Sequence, residues 1–543
     1  MWQLVHAHAN CRPAKLAITD GQLALDYQTL MVEVAGLAKQ LTTACPGTRP
    51  LIVCVDNSPA WVLLDLALML LKRCAVPIPG FFTAAQMEYV AAQSGAEFVI
   101  KEGSIGDNDL NVAGKKLHVQ HIFPVPVALL PGTAKITFTS GSTGQPKGVC
   151  LSAKLMESVA FSLVDAIGEE NAGIHCAILP LSVLLENVAG LYTTLIAGGS
   201  YHVASSASIG LANPFMPDFG VLAKTLARQS ATSAILVPEM LLGLMHALST
   251  AKQKLPKLKF LAVGGAKVSS SLLEHAAALG LPVYQGYGLS EAASVVAVNT
   301  PKSNKPGSVG RVLPHVKLRF GGDGEILLQT PDLLGYVGRP LDHAGFATAD
   351  VGHVDRDGFL FIDGRKSNVI ITSFGRNISP EWIESELLAN PQIGHSMVYG
   401  EAAPFLSALI VPAAPEVTDD SIAKAVVQTN LRLPAYAHVR QWFRANRFTA
   451  ANGMLTANGR LQRPAINKEY SGIMTTSPAN TNKPARFFEK LISETVEERN
   501  YLLATKQIQD GLAGHISLET YLHYLAEAYY HVRHTVPLLA LAR

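Results

Sequence analysis

Short apolar runs rich in β-branched residues alternate with helix-length apolar stretches through the first two thirds of the chain. PLIVCV (50–55), EFVIK (97–101), KITFTS (135–140), HCAILP (175–180), SAILVP (233–238), KFLAVGG (259–265) and PVYQGYG (282–288) read as strands. Segments such as AWVLLDLALMLLKRCAV (60–76) and MLLGLMHALSTAKQKL (240–255) read as the helices between them. This rhythm predicts an α/β fold of parallel sheets covered by helices, with ligands beyond the carboxyl ends of the strands. The run at 60–76 is the most apolar in the chain, but it carries Asp65 and reaches Lys72 too early to span a bilayer. It is expected as a buried amphipathic helix, and no transmembrane segment is expected.

From about residue 306 the texture changes to Gly-rich hairpins: GSVGRVLPHVKLRFGGDGEILLQTP, then GHVDRDGFLFIDGR. RDG and the following DGR read as turn signals flanking FLFI. A small α/β stretch follows to about Tyr470. TTSPANTNKPA (475–485) is polar and Pro-containing, as a linker would be, and 486–543 is helical in pattern. With 543 residues the chain exceeds one compact core, and two to four domains are expected. The expected division is a large N-terminal domain at 1–363, with parallel sheets and a β-barrel-like subdomain. A small mobile α/β domain at 364–470, a linker at 471–485 and a short all-α segment at 486–543 follow.

Composition narrows the function classes. Hydrophobic residues make up 48% and charged residues 16%, which suits a well-buried globular protein. A net charge of +2 gives a nucleic-acid partner no electrostatic support. Six cysteines without a C-x-x-C pair argue against a disulfide or thiolate–metal framework and for reduced thiols. The opening MWQLVHAHANCRPAK lacks the apolar core of a secretory signal, so a cytoplasmic protein is expected.

One stretch stands apart. TFTSGSTGQPKGV (137–149) follows an apolar strand and is almost entirely backbone and hydroxyl, with one lysine. Glycines let backbone N–H groups approach a polyphosphate, hydroxyls add donors, and Lys147 adds a mobile positive charge. The Walker spacing is absent. A flexible Gly/Ser turn is the competing reading of this stretch alone.

The loop closely resembles the signature of the adenylate-forming (AMP-binding) superfamily, and further matches follow in that family's order over roughly residues 1 to 470. VGGAKVS (263–269) resembles the adenine-side turn, QGYGLSE (285–291) the Y-G-x-[ST]-E motif, and GEI (324–326) and TADVG (348–352) the next two elements. GRKSNVIITSFGRNISPEWIE (364–384) resembles the hinge and the start of the mobile domain, although Ser367 lies where Asp or Lys is common. The resemblance implies an acyl-CoA synthetase-like ligase using ATP and Mg²⁺. Thr139, Ser140, Gly141, Ser142, Thr143, Gly144 and Lys147 would hold the phosphates. Gly264, Gly265, Ala266 and Tyr287 would hold the adenine, with Gly288 beside them and Ser290 on the α-phosphate. Glu291 would bind Mg²⁺, and Asp350 and Arg365 the ribose. The residue types fit these roles: Asp350 offers two acceptor oxygens to two ribose hydroxyls, and Glu291 is a hard oxygen ligand.

One departure touches the chemistry. The family's T-x-[ST]-G-K-x-x-R lysine, which bridges carboxylate and α-phosphate, is replaced in LTANGRLQR (455–463) by Arg460. Arginine keeps the charge but has a wider fork, so Arg460 is expected as the catalytic cation beside Lys147 and Glu291, with Lys468 as a substitute. LPLSVLLENVAGLYTTLIAGG (179–199) resembles a long-chain acyl-CoA synthetase segment, with Val183 and Leu185 replacing its histidine and aromatic. Leu181, Val183, Leu184 and Val188 would wall an apolar acid pocket, unless they are ordinary core. A fatty or aryl carboxylate is the expected substrate and CoA the expected acceptor, admitted past Gly375. A carrier-protein phosphopantetheine is the alternative acceptor, and a non-catalytic adenylate-binding module the alternative function.

Residues 486–543 exceed what such a ligase needs. In HYLAEAYYHVRHTVPLL (523–539), Glu527, His531 and His534 are four and three residues apart, and Glu527 and His534 share a helical face. The pattern resembles half of the metal site of haem-oxygenase-like (thiaminase-like) di-iron oxidases. It would imply iron in a longer form of the chain and a fused or partner oxygenase. A Tyr/His-rich amphipathic helix at a partner surface is the other reading.

Overall fold

The computed structural model describes residues 1–80, 82–103, 109–123, 125–140, 146–212, 217–330, 332–341, 345–373, 377–456, 459–474, 517, 519, 522 and 523. Compact packing divides the chain into residues 1–466 and 467–543. In the second unit, Ser471–Met474 is helical, as are positions 519, 522 and 523.

Residues 1–466 carry two large sheets with parallel centres. In one, Leu51–Cys54 pairs parallel with Ala75–Pro77 and Phe98–Glu102, and Ala75–Pro77 pairs parallel with Thr133–Ser140. In the other, Ser233–Leu236, Phe260–Val263 and Val283–Leu289 lie parallel in that order. Parallel neighbours need a crossover long enough for a helix, which the chain supplies as Pro59–Leu70, Ala84–Ser94, Pro238–Ala251 and Ser270–Ala278. Antiparallel strands continue both sheets outward: Lys115–His121 beside Phe98–Glu102 in one, Ser294–Val298 beside Val283–Leu289 in the other. A four-stranded sheet, Lys317–Phe320, Glu325–Gln329, Phe346–Val354 and Leu360–Arg365, forms the Gly-rich hairpin region around its own apolar cluster. Another cluster draws only on residues from Ile370 to Val439, around the three strands Ile393–Tyr399, Leu406–Pro412 and Val439–Arg444.

Three details differ from the sequence expectation. The helix Pro59–Leu70 is not amphipathic: every residue from Pro59 to Leu68 is buried, including Asp65. A helix enclosed on all sides needs no polar face, and its one acid is neutralised internally. HCAILP forms a strand only over Ile174–Cys176. Beyond it the N–H groups of Ile178 and Leu179 turn to the buried carboxylate of Glu186 at 3.2 and 3.1 Å. DGR at 363–365 is not a turn, because the strand Leu360–Arg365 runs through it and places Arg365 opposite Asp350.

The apolar segment at 179–199 contains a wide helix of eight residues, Leu185–Tyr192, with i→i+5 winding. Such windings are rare and cost backbone geometry. Here it carries two fully buried polar groups. Glu186 accepts from the Tyr201 hydroxyl at 2.8 Å and lies 3.0 Å from His175 Nε2, while Asn187 joins Asp65, Lys135 and Tyr192. Leu181, Leu184 and Val188 are buried in the main core, so core packing accounts for them, and Val183 is half-buried. All six cysteines are free, and burial pushes the Cys45 thiol up to about 11, with Arg73 opposing.

Candidate active site

The glycine-rich loop is flanked by two antiparallel strands, Thr133–Ser140 and Pro146–Ser152, with Thr139 opposite Lys147. No helix follows it directly, so any anion held there meets backbone and side-chain donors without a helix dipole. Gly141, Ser142, Thr143 and Gly144 lie outside the described residues, as do the side chains of Thr139 and Ser140. Lys147 is exposed, with its Nζ 5.9 Å from the ring centre of Tyr336.

Glu291 sits in a turn so tight that its sequence is constrained on both sides. Val283–Leu289 returns antiparallel as Ser294–Val298 through a single 3₁₀ turn, Ser290–Ala292. Ala293 (φ 55°) and Ser294 (φ 112°) close the turn with left-handed backbone. Gly288 is held there by close approach, since a Cβ would lie 1.7 Å from the Ser294 carbonyl oxygen. Positive φ at two non-glycine residues is stored strain of the kind that accompanies a fixed functional geometry. The turn packs beside the Lys147 strand and the strand Leu333–Tyr336, and the Tyr336 hydroxyl donates to Glu291 Oε1 at 2.7 Å.

Asp350 gathers the other predicted residues. It accepts from the Tyr287 hydroxyl at 2.7 Å and from Arg365 Nη1 at 3.3 Å. Burial raises its carboxyl above the ordinary aspartate range, opposed by the Tyr287 hydrogen bond and by Arg365 and Arg460. Burial, reinforced by Asp350, likewise keeps the Tyr287 phenol protonated as a donor. Because folding raises the Asp350 value, the protonated form gains in the folded state, and that gain is lost as pH rises through the folded value. Near neutrality the charged carboxylate therefore costs stability. Asp350→Asn is expected to raise the melting temperature of the ligand-free protein at neutral pH while weakening ATP binding about 10-fold or more. Thermal melts and titration calorimetry read the two effects.

Gly264, Gly265 and Ala266 form the turn after the strand Phe260–Val263, with Gly265 at φ 84°. Arg460, 195 residues further on, donates from Nη2 to the Gly265 carbonyl at 3.2 Å. Its segment is pinned locally, with Arg460 N–H donating to Thr456 Oγ1 at 3.0 Å and Thr456 N–H to the Arg460 carbonyl at 2.7 Å. Arg460 is exposed to water yet crowded by protein. That crowding lowers its guanidinium from the ordinary value, as does Arg365, while Asp350 and Glu291 oppose the shift. Four charged residues distant in sequence thus feel one another at one place.

Two further contacts tie the glycine turn and the start of the helix after it to later segments of the chain. Lys267 Nζ donates to the Ile362 carbonyl at 3.2 Å, tying the glycine turn to the strand that ends at Arg365. Glu386, on the helix Pro380–Leu388, accepts from Ser270 N–H at 3.2 Å and Ser271 Oγ at 2.8 Å, and pairs with Arg432 at 3.4 Å. Tyr336 was also missed, because a tyrosine in a strand signals packing until its partner is known. Gly375 and the residues Glu527, His531 and His534 lie outside the described residues. Among the described residues there is no group of three or more His, Cys, Asp and Glu placed to hold a metal, and no helix long and apolar enough to cross a membrane.

Comparison with known proteins places this arrangement among relatives. The sequence pattern of the AMP-binding enzyme family matches residues 5–326. The long-chain-fatty-acid–CoA ligase FadD15 of Mycobacterium bovis is 34% identical over 239 residues, which cover 38% of this chain and 40% of that ligase's own length. Among solved structures, an anthranilate CoA ligase, AuaEII, in complex with anthranoyl-AMP superposes with a TM-score of 0.72 at 17% identity, covering 86% of this chain and 96% of that one. The o-succinylbenzoate CoA synthetase MenE from Bacillus subtilis, in complex with ATP and magnesium ion, gives 0.68 at 21% identity, covering 85% and 98%. At these identities the structural likeness speaks for the fold.

Proposed function

We propose, on the premise that this chain belongs to the AMP-binding enzyme family, that it is an ATP- and Mg²⁺-dependent ligase joining a hydrophobic carboxylic acid to the thiol of CoA through an acyl-adenylate. The observation that carries the reading is the arrival of Arg460 at the Gly265 carbonyl, within electrostatic reach of Asp350, Arg365 and Glu291. Arg460 adds a cation beside Asp350 and Glu291, and an α-phosphate under attack needs such a charge close by.

In the first step the acid's carboxylate oxygen attacks the α-phosphorus and the bond to pyrophosphate breaks. In the second, the thiol sulfur attacks the acyl carbon, the proton leaves with solvent, and AMP departs. Asp350 and Arg365 orient the ribose, Tyr287 lies beside them, and Lys147 and Arg460 meet the growing charge on the phosphates. Catalysis of this kind is mostly positioning and charge neutralisation. Glu291 suits Mg²⁺, a hard cation that takes one or two carboxylates and leans on phosphate oxygens for the rest. When bound, the ion would supply neutralisation of phosphate charge.

Names of the relatives point to fatty and aryl acids, and the half-buried Val183 on an apolar segment agrees with either. Pyrophosphate release tests the reading. Purified protein with ATP and Mg²⁺ is expected to release pyrophosphate only when a hydrophobic acid is present, and to form a thioester when CoA is added. Thioester formation only with a phosphopantetheinylated carrier protein would replace CoA by that acceptor. Release with no acid in a broad panel would sink the ligase.

A further inference from the structure

We infer that Tyr336 is a positioning residue of this site, whose phenol fixes the Glu291 carboxylate for a divalent cation while its ring steadies Lys147. The inference rests on the ligase reading above and adds a residue to it. Tyr336 ends the strand Leu333–Tyr336, which runs antiparallel to Pro146–Ser152 with Tyr336 opposite Val149. Positions 147 and 149 project to the same face of that strand, so the pairing register alone puts Tyr336 beside Lys147. The ammonium lies 5.9 Å from the ring centre, within the range of a cation–π contact.

From the same place the hydroxyl reaches Glu291, 45 residues away in sequence, at 2.7 Å. One phenol therefore touches the expected metal ligand and flanks the expected phosphate cation. The hydrogen bond occupies Oε1 only, which leaves Oε2 and the remaining lone pairs for a hard cation. A glutamate has three rotatable bonds, and in the absence of such a partner it would sample orientations that a metal must then select against. Hydrogen-bonded partners of metal-binding carboxylates commonly set affinity in this way.

The test separates this role from mere packing and from the ligase reading. Mn²⁺ replaces Mg²⁺, and its binding is followed by electron paramagnetic resonance in the presence of α,β-methylene-ATP, a reading independent of turnover. Tyr336→Phe keeps the ring and loses only the hydroxyl. It is expected to weaken Mn²⁺ binding about 10-fold, with metal-free affinity for the ATP analogue changed less than about 2-fold. Tyr336→Leu, which also removes the face beside Lys147, is expected to weaken the analogue itself. In a Glu291→Gln background, Tyr336→Phe should add nothing, since its effect passes through that carboxylate. Unchanged Mn²⁺ affinity in Tyr336→Phe, or an equal loss in the Glu291→Gln background, overturns the inference even when the wild type makes acyl-adenylate. A wild type that binds neither analogue nor Mn²⁺ removes the ligase reading and the inference with it.

Discussion

Arg460→Ala is expected to slow acyl-adenylate formation by about 10²- to 10³-fold, the usual loss when one preorganised donor to a developing oxyanion is removed. Acid-dependent ATP–pyrophosphate exchange measures it. Binding of ATP should change little, because Asp350, Arg365 and the glycine turn remain, and the side chain's hydrogen bond among the described residues is to the Gly265 carbonyl. Arg460→Lys should recover much of the rate: the charge stays, though a lysine makes a point contact where the guanidinium offers a fork. An exchange rate in Arg460→Ala equal to wild type would remove Arg460 from the phosphate chemistry and pass the role to another cation. Weakening Glu386, which holds the Pro380–Leu388 helix to Ser270 and Ser271, bears on the same step only through the placement of Arg460.

The second large effect concerns stability. Lys135, 1% exposed, is enclosed with Asp65 at 2.7 Å, the Tyr192 hydroxyl at 3.0 Å and Asn187. Tyr192 and Asn187 in turn donate to Asp65 Oδ2 at 2.6 and 3.0 Å. Trp61 also lies beside the ammonium, its ring centre at 5.9 Å. Asp65→Leu leaves this cation without its counter-ion and should destabilise the protein by about 3–5 kcal/mol. Adding Lys135→Met removes the stranded charge, so the double variant should lose less than Asp65→Leu alone. Denaturant unfolding compares the two. Should the double variant be the less stable, the charge pair is not what the network protects. Lys135 lies on the strand that leads into the glycine-rich loop, while Asn187 and Tyr192 lie on the wide helix Leu185–Tyr192. The network therefore joins the strand leading into the glycine-rich loop to the segment expected to meet the acid.

What the sequence by itself determined is local. Apolar runs of five to seven residues became strands at 51–54, 98–102, 233–236 and 260–263, because period and length are properties of the run. Glu291, Asp350 and Arg365 stand out in the sequence because they lie inside spaced motifs that resemble those of the AMP-binding family. Tertiary structure alone decided the rest. Register across a sheet placed Arg365 opposite Asp350 by running the strand through DGR, and placed Tyr336 beside Lys147. Enclosure turned Asp65 from an interruption of an apolar helix into the counter-ion of Lys135. A loop 195 residues away brought Arg460 to Gly265. Each of these depends on pairing and burial between segments far apart in the chain, and such energies have no signature in the spacing of residues along it.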